Sequence, residues 1–190
     1  MSGKIRRDRK AAEQAIAELI RALGLDPRRD PELRGSPQRV ADFYFEAFGG
    51  LDPRLAPELV TFPLSGEGQL VVVREIPFHS ICVHHFAPFF GRALIAYLPN
   101  QKLIGVSGIP RLLEFYSRRP QVQERLGQQI ADHLERLLDP RGVAVALEAR
   151  HLCMEMRGVR KLGRMETRVA RGALAGPEWA AALRMESREP

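Results

Sequence analysis

With 190 residues, 45% of them hydrophobic, the chain has material for one well-buried domain and hardly for two. No stretch approaches the roughly 18 unbroken apolar residues of a membrane span, and MSGKIRRDRK runs into an amphipathic pattern without a signal-peptide core, so no membrane association and a cytoplasmic location are expected. The formal charge of +6 asks for an anionic partner, but Arg and Lys are spread along the whole chain without interleaved aromatic residues or a helix-turn-helix, zinc-finger or RNP-like signature, which argues against nucleic acid and for a phosphate-bearing small molecule.

Ala12, Ala15, Ile16, Leu19, Ile20 and Leu23 recur at helical spacing and predict an amphipathic helix over residues 9–23, ended by Gly24 and Pro27. Ser36 and Pro37 read as the N-cap and first position of a second helix, which carries Val40, Tyr44, Ala47 and Phe48 and stops at Gly49 and Gly50. Residues 1–63 are thus expected to be a helical front end with a Pro-rich link, and residues 64–190 the main domain. No solenoid repeat or low-complexity run interrupts either part.

The period then changes. Residues 70–76 and 93–98 are rich in Val, Ile, Leu and Tyr, bounded by Gly, Pro and Asn, and predict strands. Helical patterns follow over 107–118 and, restarted by Pro120, through Val122, Leu126, Ile130, Leu134 and Leu137 to the Asp139-Pro140 stop. Strands at 143–149 and 151–159, and another around Thr167, complete an α+β domain with helices on one face of an antiparallel sheet.

Chemistry concentrates in Ser80-Ile81-Cys82-Val83-His84-His85 and His151-Leu152-Cys153-Met154-Glu155-Met156-Arg157, which hold both cysteines and three of the five histidines. If the second segment is a strand, His151, Cys153, Glu155 and Arg157 share one face while Leu152, Met154 and Met156 pack inward. Far-separated cysteines accompanied by histidines point to metal or catalysis more than to a disulfide. A Cys-x-x-His pair plus a distant Cys supplies three ligands, the number that leaves a fourth position open in a catalytic zinc site. Each cluster alone is a weak pattern, since a lone Cys is usually a small buried hydrophobe, and their joint presence carries the reading. His79 and His133 lack such company and read as structural or solvent-facing. By themselves Glu124 and Arg125 read as solvated helix charges, and Arg111 as a partner for Glu114.

FHSICVHHFAPFFG, GVSGIPRLLEFYSRRPQVQERLGQQIA and EARHLCMEMRGV resemble the three signature blocks of the GTP cyclohydrolase I family, and RGSPQRVADFYFEAF resembles its second helix, so the likeness runs from about residue 33 to 172. It implies the tunnelling fold, with subunits joining their sheets into a pentameric barrel, two rings stacked as a homodecamer, and active sites between subunits. It implies a Zn2+ held by Cys82, His85 and Cys153, and catalytic roles for His84, His151 and Ser107. Substrate binding falls on Glu124 and Gln123 for the guanine end and on Arg111 and Arg157 for phosphate. The implied reaction turns GTP and water into formate and 7,8-dihydroneopterin triphosphate, the first step of pterin and tetrahydrofolate biosynthesis, with His151 protonating the ring nitrogen as the imidazole opens.

The chain departs from the family pattern at Val83, where a glutamate is usual, at Gly108, where a lysine usually follows the serine, and in FPLSGEGQL, which lacks basic residues. Arg164, Arg168 and Arg171 in RMETRVARG are candidates to replace the missing charge. Two alternatives follow: a divergent paralogue acting on another purine nucleotide or stopping at a different product, and a non-catalytic oligomer whose zinc is structural.

Overall fold

The computed structural model describes residues 7–185 of the chain, which divides between Gly49 and Gly50 into two units. In the first, helix α1 (Arg9–Ala22) is opened by Asp8, whose carboxylate accepts the N–H of Ala11. Gly24 closes it with φ +84°: its N–H reaches Arg21 O while that of Leu25 reaches Ile20 O. That is the bond pair for which a left-handed glycine is preferred. Helix α2 (Ser36–Ala47) starts one residue earlier than its sequence suggests. Gly35 is the N-cap, Ser36 is already helical, and the Ser36 hydroxyl accepts from Arg39. The two helices pack on each other, with Arg9 paired to Asp42, and leave Leu19, Leu23 and Phe43 exposed.

The second unit runs in chain order through β1 (Thr61–Pro63), β2 (Val71–Cys82), β3 (Pro88–Leu98), β4 (Lys102–Ile104), α3 (Gly108–Ser117), β5 (Pro120–Gln121), α4 (Gln123–Leu138), β6 (Gly142–His151), the single turn α5 (Leu152–Glu155) and β7 (Arg164–Gly172). Strands β1 and β4 form a small antiparallel pair, and the main sheet has the order β5-β2-β3-β6-β7. All of its pairings are antiparallel except β5 with β2, where Ile81 and Cys82 face Pro120 and Gln121. This is the expected α+β arrangement, with one short parallel strand added at the edge.

Two predicted boundaries move for identifiable reasons. Strand β2 continues through Pro77 to Cys82. Its outer side has no strand partner at Pro77, because β5 begins only opposite Ile81, so the missing proline N–H breaks no ladder bond there. The strand expected over 151–159 does not form: β6 ends at His151, and the chain turns into α5, with Met156 N–H bonded to Leu152 O.

Helices α3 and α4 cover one face of the sheet. Leu126, Ile130, Leu134 and Leu138 recur every four residues along α4 and are fully buried with Ile109 and Leu112 of α3 against Ile95, Tyr97, Val143, Val145 and Leu147. At about 1.5–3 kcal/mol per buried side chain, this stripe outweighs helix propensity in holding α4 to the sheet. On the opposite face Leu94, Ala96, Ala144 and Ala146 pack with Leu174, Leu183 and Met185 from the C-terminal segment, a second layer the sequence reading did not foresee. No helix among the described residues is long and apolar enough to cross a membrane.

Candidate metal centre

The end of β2 delivers Cys82 to the edge of the core, where it is buried. Cys82 N–H donates to Ala87 O, Phe86 N–H returns to Cys82 O with Phe86 at φ 53°, and Val83 N–H extends the pairing to Gln121 O. This tight turn exposes His84 and His85 while bringing both Nδ1 atoms back toward the Cys82 sulfur, at 3.9 and 3.8 Å. Cys153 arrives from α5, whose turn is clamped by two hydrogen bonds from Arg150 to Glu155, at 3.0 and 2.7 Å. That guanidinium holds the Glu155 carboxyl below its ordinary range.

One ligand atom each from Cys82, His85 and Cys153 lies within 4.8 Å of the others. Donor atoms around a tetrahedral zinc stand about 3.5–3.8 Å apart. The Cys82–His85 pair already has that spacing, and two sulfurs with an imidazole are a donor set suited to zinc. Burial, then the neighbouring Cys82, push the Cys153 thiol above its ordinary value, whereas Arg157 pulls it down. A thiol whose ionisation is made costlier by burial and a neighbouring cysteine is a place where a cation would be stabilising.

His151, the last residue of β6, sits opposite Phe89 in the register, and the two rings stack at 4.7 Å with planes 3° apart. Its Nε2 lies 2.8 Å from Oε1 of Gln123. Burial lowers the His151 pKa, with Glu124 and then Glu155 pulling it back up. Gln123, expected to touch substrate, is completely buried instead. Its amide nitrogen faces Leu147 O, Met165 O and Thr167 Oγ1, and its oxygen faces His151, so both ends of the side chain are engaged. Glu124, the next residue, is exposed in the first turn of α4, and Arg157 is exposed just past α5.

The chain therefore gathers Cys82, His85, Cys153, His84, His151 and Glu124 at one end of the sheet. Ser107 and Arg111 lie elsewhere. The far end of α3 is tied to this region, since Ser117 O accepts from Ser80 Oγ two residues before Cys82. Ten helical residues, about 15 Å, separate that end from Ser107. Ile104, which precedes Ser107 by three residues, donates its N–H to the hydroxyl of Tyr97, near the end of β3 remote from Pro88. Arg111 is exposed and makes no ion pair among the described residues, while Glu114 pairs with Arg118 rather than with it.

Sequence reasoning missed Phe89 and the Arg150–Glu155 clamp. Phe89 stands in the quoted block FAPFFG, but only the cross-strand register sets it against His151. The candidate replacements for lost charge are engaged locally: Arg164 with Glu148, Arg168 with Glu166, and Arg171 with Asp132 and Glu135.

The sequence model of GTP cyclohydrolase I matches residues 12–186. The chain belongs to the GTP cyclohydrolase I family. GTP cyclohydrolase 1 of Streptococcus mutans is 44% identical over 174 residues, 90% of either chain. That of Thermobifida fusca is 46% identical over 169 residues, 87% of this chain and 81% of the relative. The enzyme of Mycobacterium tuberculosis H37Rv is 49% identical over 162 residues, 84% and 80%. The α+β unit is thus the tunnelling fold of that family. A solved archaeosine synthase QueF-like chain overlaps 58% of this chain and 98% of its own with TM-score 0.42 and 14% identity, a likeness too loose to bear on the chemistry.

Proposed function

We propose that the chain is a zinc-dependent GTP cyclohydrolase I, converting GTP and water to formate and 7,8-dihydroneopterin triphosphate at the head of a pterin and tetrahydrofolate pathway. The observation that carries this reading is the convergence of Cys82, His85 and Cys153 within 4.8 Å beside a partly buried histidine, His151, in a chain of this family. A zinc ion on those three residues would bring the pKa of a water near neutrality, supplying a nucleophile at working pH. His151 would hand a proton to the purine ring nitrogen as the ring opens: a histidine titrates near working pH, and the burial that lowers its pKa here eases giving the proton up. Glu124, exposed beside it, offers two oxygens to the paired N–H donors on the guanine edge. Arg157 supplies positive charge toward phosphate, and His84 serves later proton transfers.

Ser107 and Arg111 belong to this reading through a neighbouring copy. In one protomer they lie at the other end of the sheet from the cysteines, so a site that uses both halves is completed between subunits. The open strands support such an assembly. The outer sides of β7 and of most of β2 are unpaired among the described residues, and the two strands run in opposite directions. Joining β7 of one copy to β2 of the next therefore continues an antiparallel sheet, a head-to-tail contact that closes as a ring and removes both edges. The proposed assembly is a decamer of two such pentamers.

The test is to assay zinc-analysed protein with GTP, with and without a chelator, following formate and dihydroneopterin triphosphate together. Both products, abolished by the chelator, support the reading. Formate without the pterin would assign the chain to a divergent activity, to which Val83 and Gly108 point, and neither product from zinc-loaded protein would refute catalysis on GTP.

A further inference from the structure

The buried Gln123 side chain has one arrangement compatible with its surroundings. Leu147 O and Met165 O are backbone carbonyls, which only accept, and both stand 3.0 Å from one end of the Gln123 amide, with Thr167 Oγ1 at 3.2 Å. That end must be the NH2 group. The other end is then the carbonyl oxygen, which can only accept, and it lies 2.8 Å from His151 Nε2. His151 must accordingly donate from Nε2.

We infer that Gln123 is a positioning residue that locks His151 as the Nε2–H tautomer, so that Nδ1 is the nitrogen that takes and gives the proton in the reaction. A histidine's tautomer is set by the bond its other nitrogen makes. Phe89 completes the restraint: its ring, parallel to the imidazole at 4.7 Å, allows rotation of His151 only at the expense of the stack. The anchoring groups come from β6 and β7, so the imidazole is oriented by the sheet itself rather than by a loop. Gln123 thereby leaves the substrate and acts through His151, which is why a residue next to the exposed Glu124 has no exposed surface. The inference rests on His151 being the proton-transfer group of the proposed cyclohydrolase.

The experiment is magic-angle-spinning 15N NMR of the zinc-loaded oligomer, labelled at histidine, with the His151 signals assigned by their loss in His151→Asn. Neutral His151 is expected to show a protonated Nε2 and a bare Nδ1. Gln123→Met, which removes the acceptor, is expected to yield a mixture of tautomers, and Gln123→Glu, which keeps an oxygen there, to restore the single form. In GTP turnover Gln123→Met is expected to lower kcat by about 10- to 100-fold with zinc content unchanged and KM within about threefold. A wild-type His151 protonated at Nδ1 would overturn the inference, as would a Gln123→Met variant that raises KM at constant kcat. The wild-type spectrum decides the tautomer even if the variants fail to assemble or GTP proves not to be the substrate, and turnover by the variants decides its part in the reaction.

Discussion

The sulfur of Cys82 lies 3.8 Å from Nδ1 of His85, and of the two adjacent histidines it is His85 whose ring nitrogen also comes within 4.8 Å of the Cys153 donor. His84 approaches Cys82 almost as closely, at 3.9 Å, but stands outside that group of three. The pair therefore separates in its expected behaviour. Zinc affinity should fall in His85→Ala by more than the roughly 100-fold at which losses of outer-shell partners end. His84→Ala should keep close to one zinc per subunit after dialysis while losing turnover. Metal analysis of both variants checks this, and equal loss of zinc would show that the histidines share the metal.

The separation of Ser107 and Arg111 from the cysteine end of the sheet gives a second prediction. Arg111→Ala and Cys153→Ala should each be nearly inactive alone. When co-expressed in equal amounts they should regain activity, because random mixing of subunits leaves about a quarter of inter-subunit sites with both halves intact. Activity of the co-expressed sample no higher than that of the two variants separately would place both groups in one protomer's site.

Much of this was legible beforehand, for reasons that differ by segment. Helix α4 declares itself through apolar residues at every fourth position, and α1 through its stripe and the glycine that closes it. The candidate ligand cluster of Cys82, His85 and Cys153 was legible because both cysteines have histidines within three residues. The path of the chain at the second cysteine was not. His151 to Arg157 alternates polar and apolar over seven residues, but a period-two run that short also fits a helical turn once a local ion pair, here Arg150 with Glu155, closes it. Gln123 could not be distinguished from a ligand-binding residue because its burial depends on β7, 42 residues on at Met165. The second layer over the sheet escaped notice because its contributors, Leu174, Leu183 and Met185, are scattered through a segment without regular period.

Strand β3 passes β6 closely at Gly91, where an added Cβ would stand 1.8 Å from Glu148 O and 2.7 Å from Ala149 Cα. Both obstacles are backbone, so no side-chain rotation relieves the clash. Gly91→Ala is expected to destabilise the protein by at least about 2 kcal/mol, lowering the apparent Tm by about 4–8 °C. The required shift also reaches the Phe89–His151 pair two residues along the ladder, so activity should fall even below the transition. Scanning calorimetry and turnover at low temperature test both parts, and a wild-type Tm would show that the strands separate without cost.

His133 gives a pH dependence that does not involve the candidate metal centre. His133 is a half-buried residue of α4 whose Nδ1 lies 3.0 Å from the hydroxyl of Tyr116 on α3, and burial lowers its pKa, with Arg136 and then Arg119 adding to the effect. The unfolded chain, titrating near the ordinary value of about 6.5, takes up a proton that the folded one resists. Stability from this source is therefore full above about pH 6.5, and is lost as pH falls from there toward the depressed folded value. His133→Gln keeps a polar group and removes the titration, so its Tm should fall less than the wild type's between pH 7.5 and 5.5. Groups that titrate in both proteins cancel in that comparison. An equal fall would show that His133 takes its proton without disturbing the packing around Tyr116.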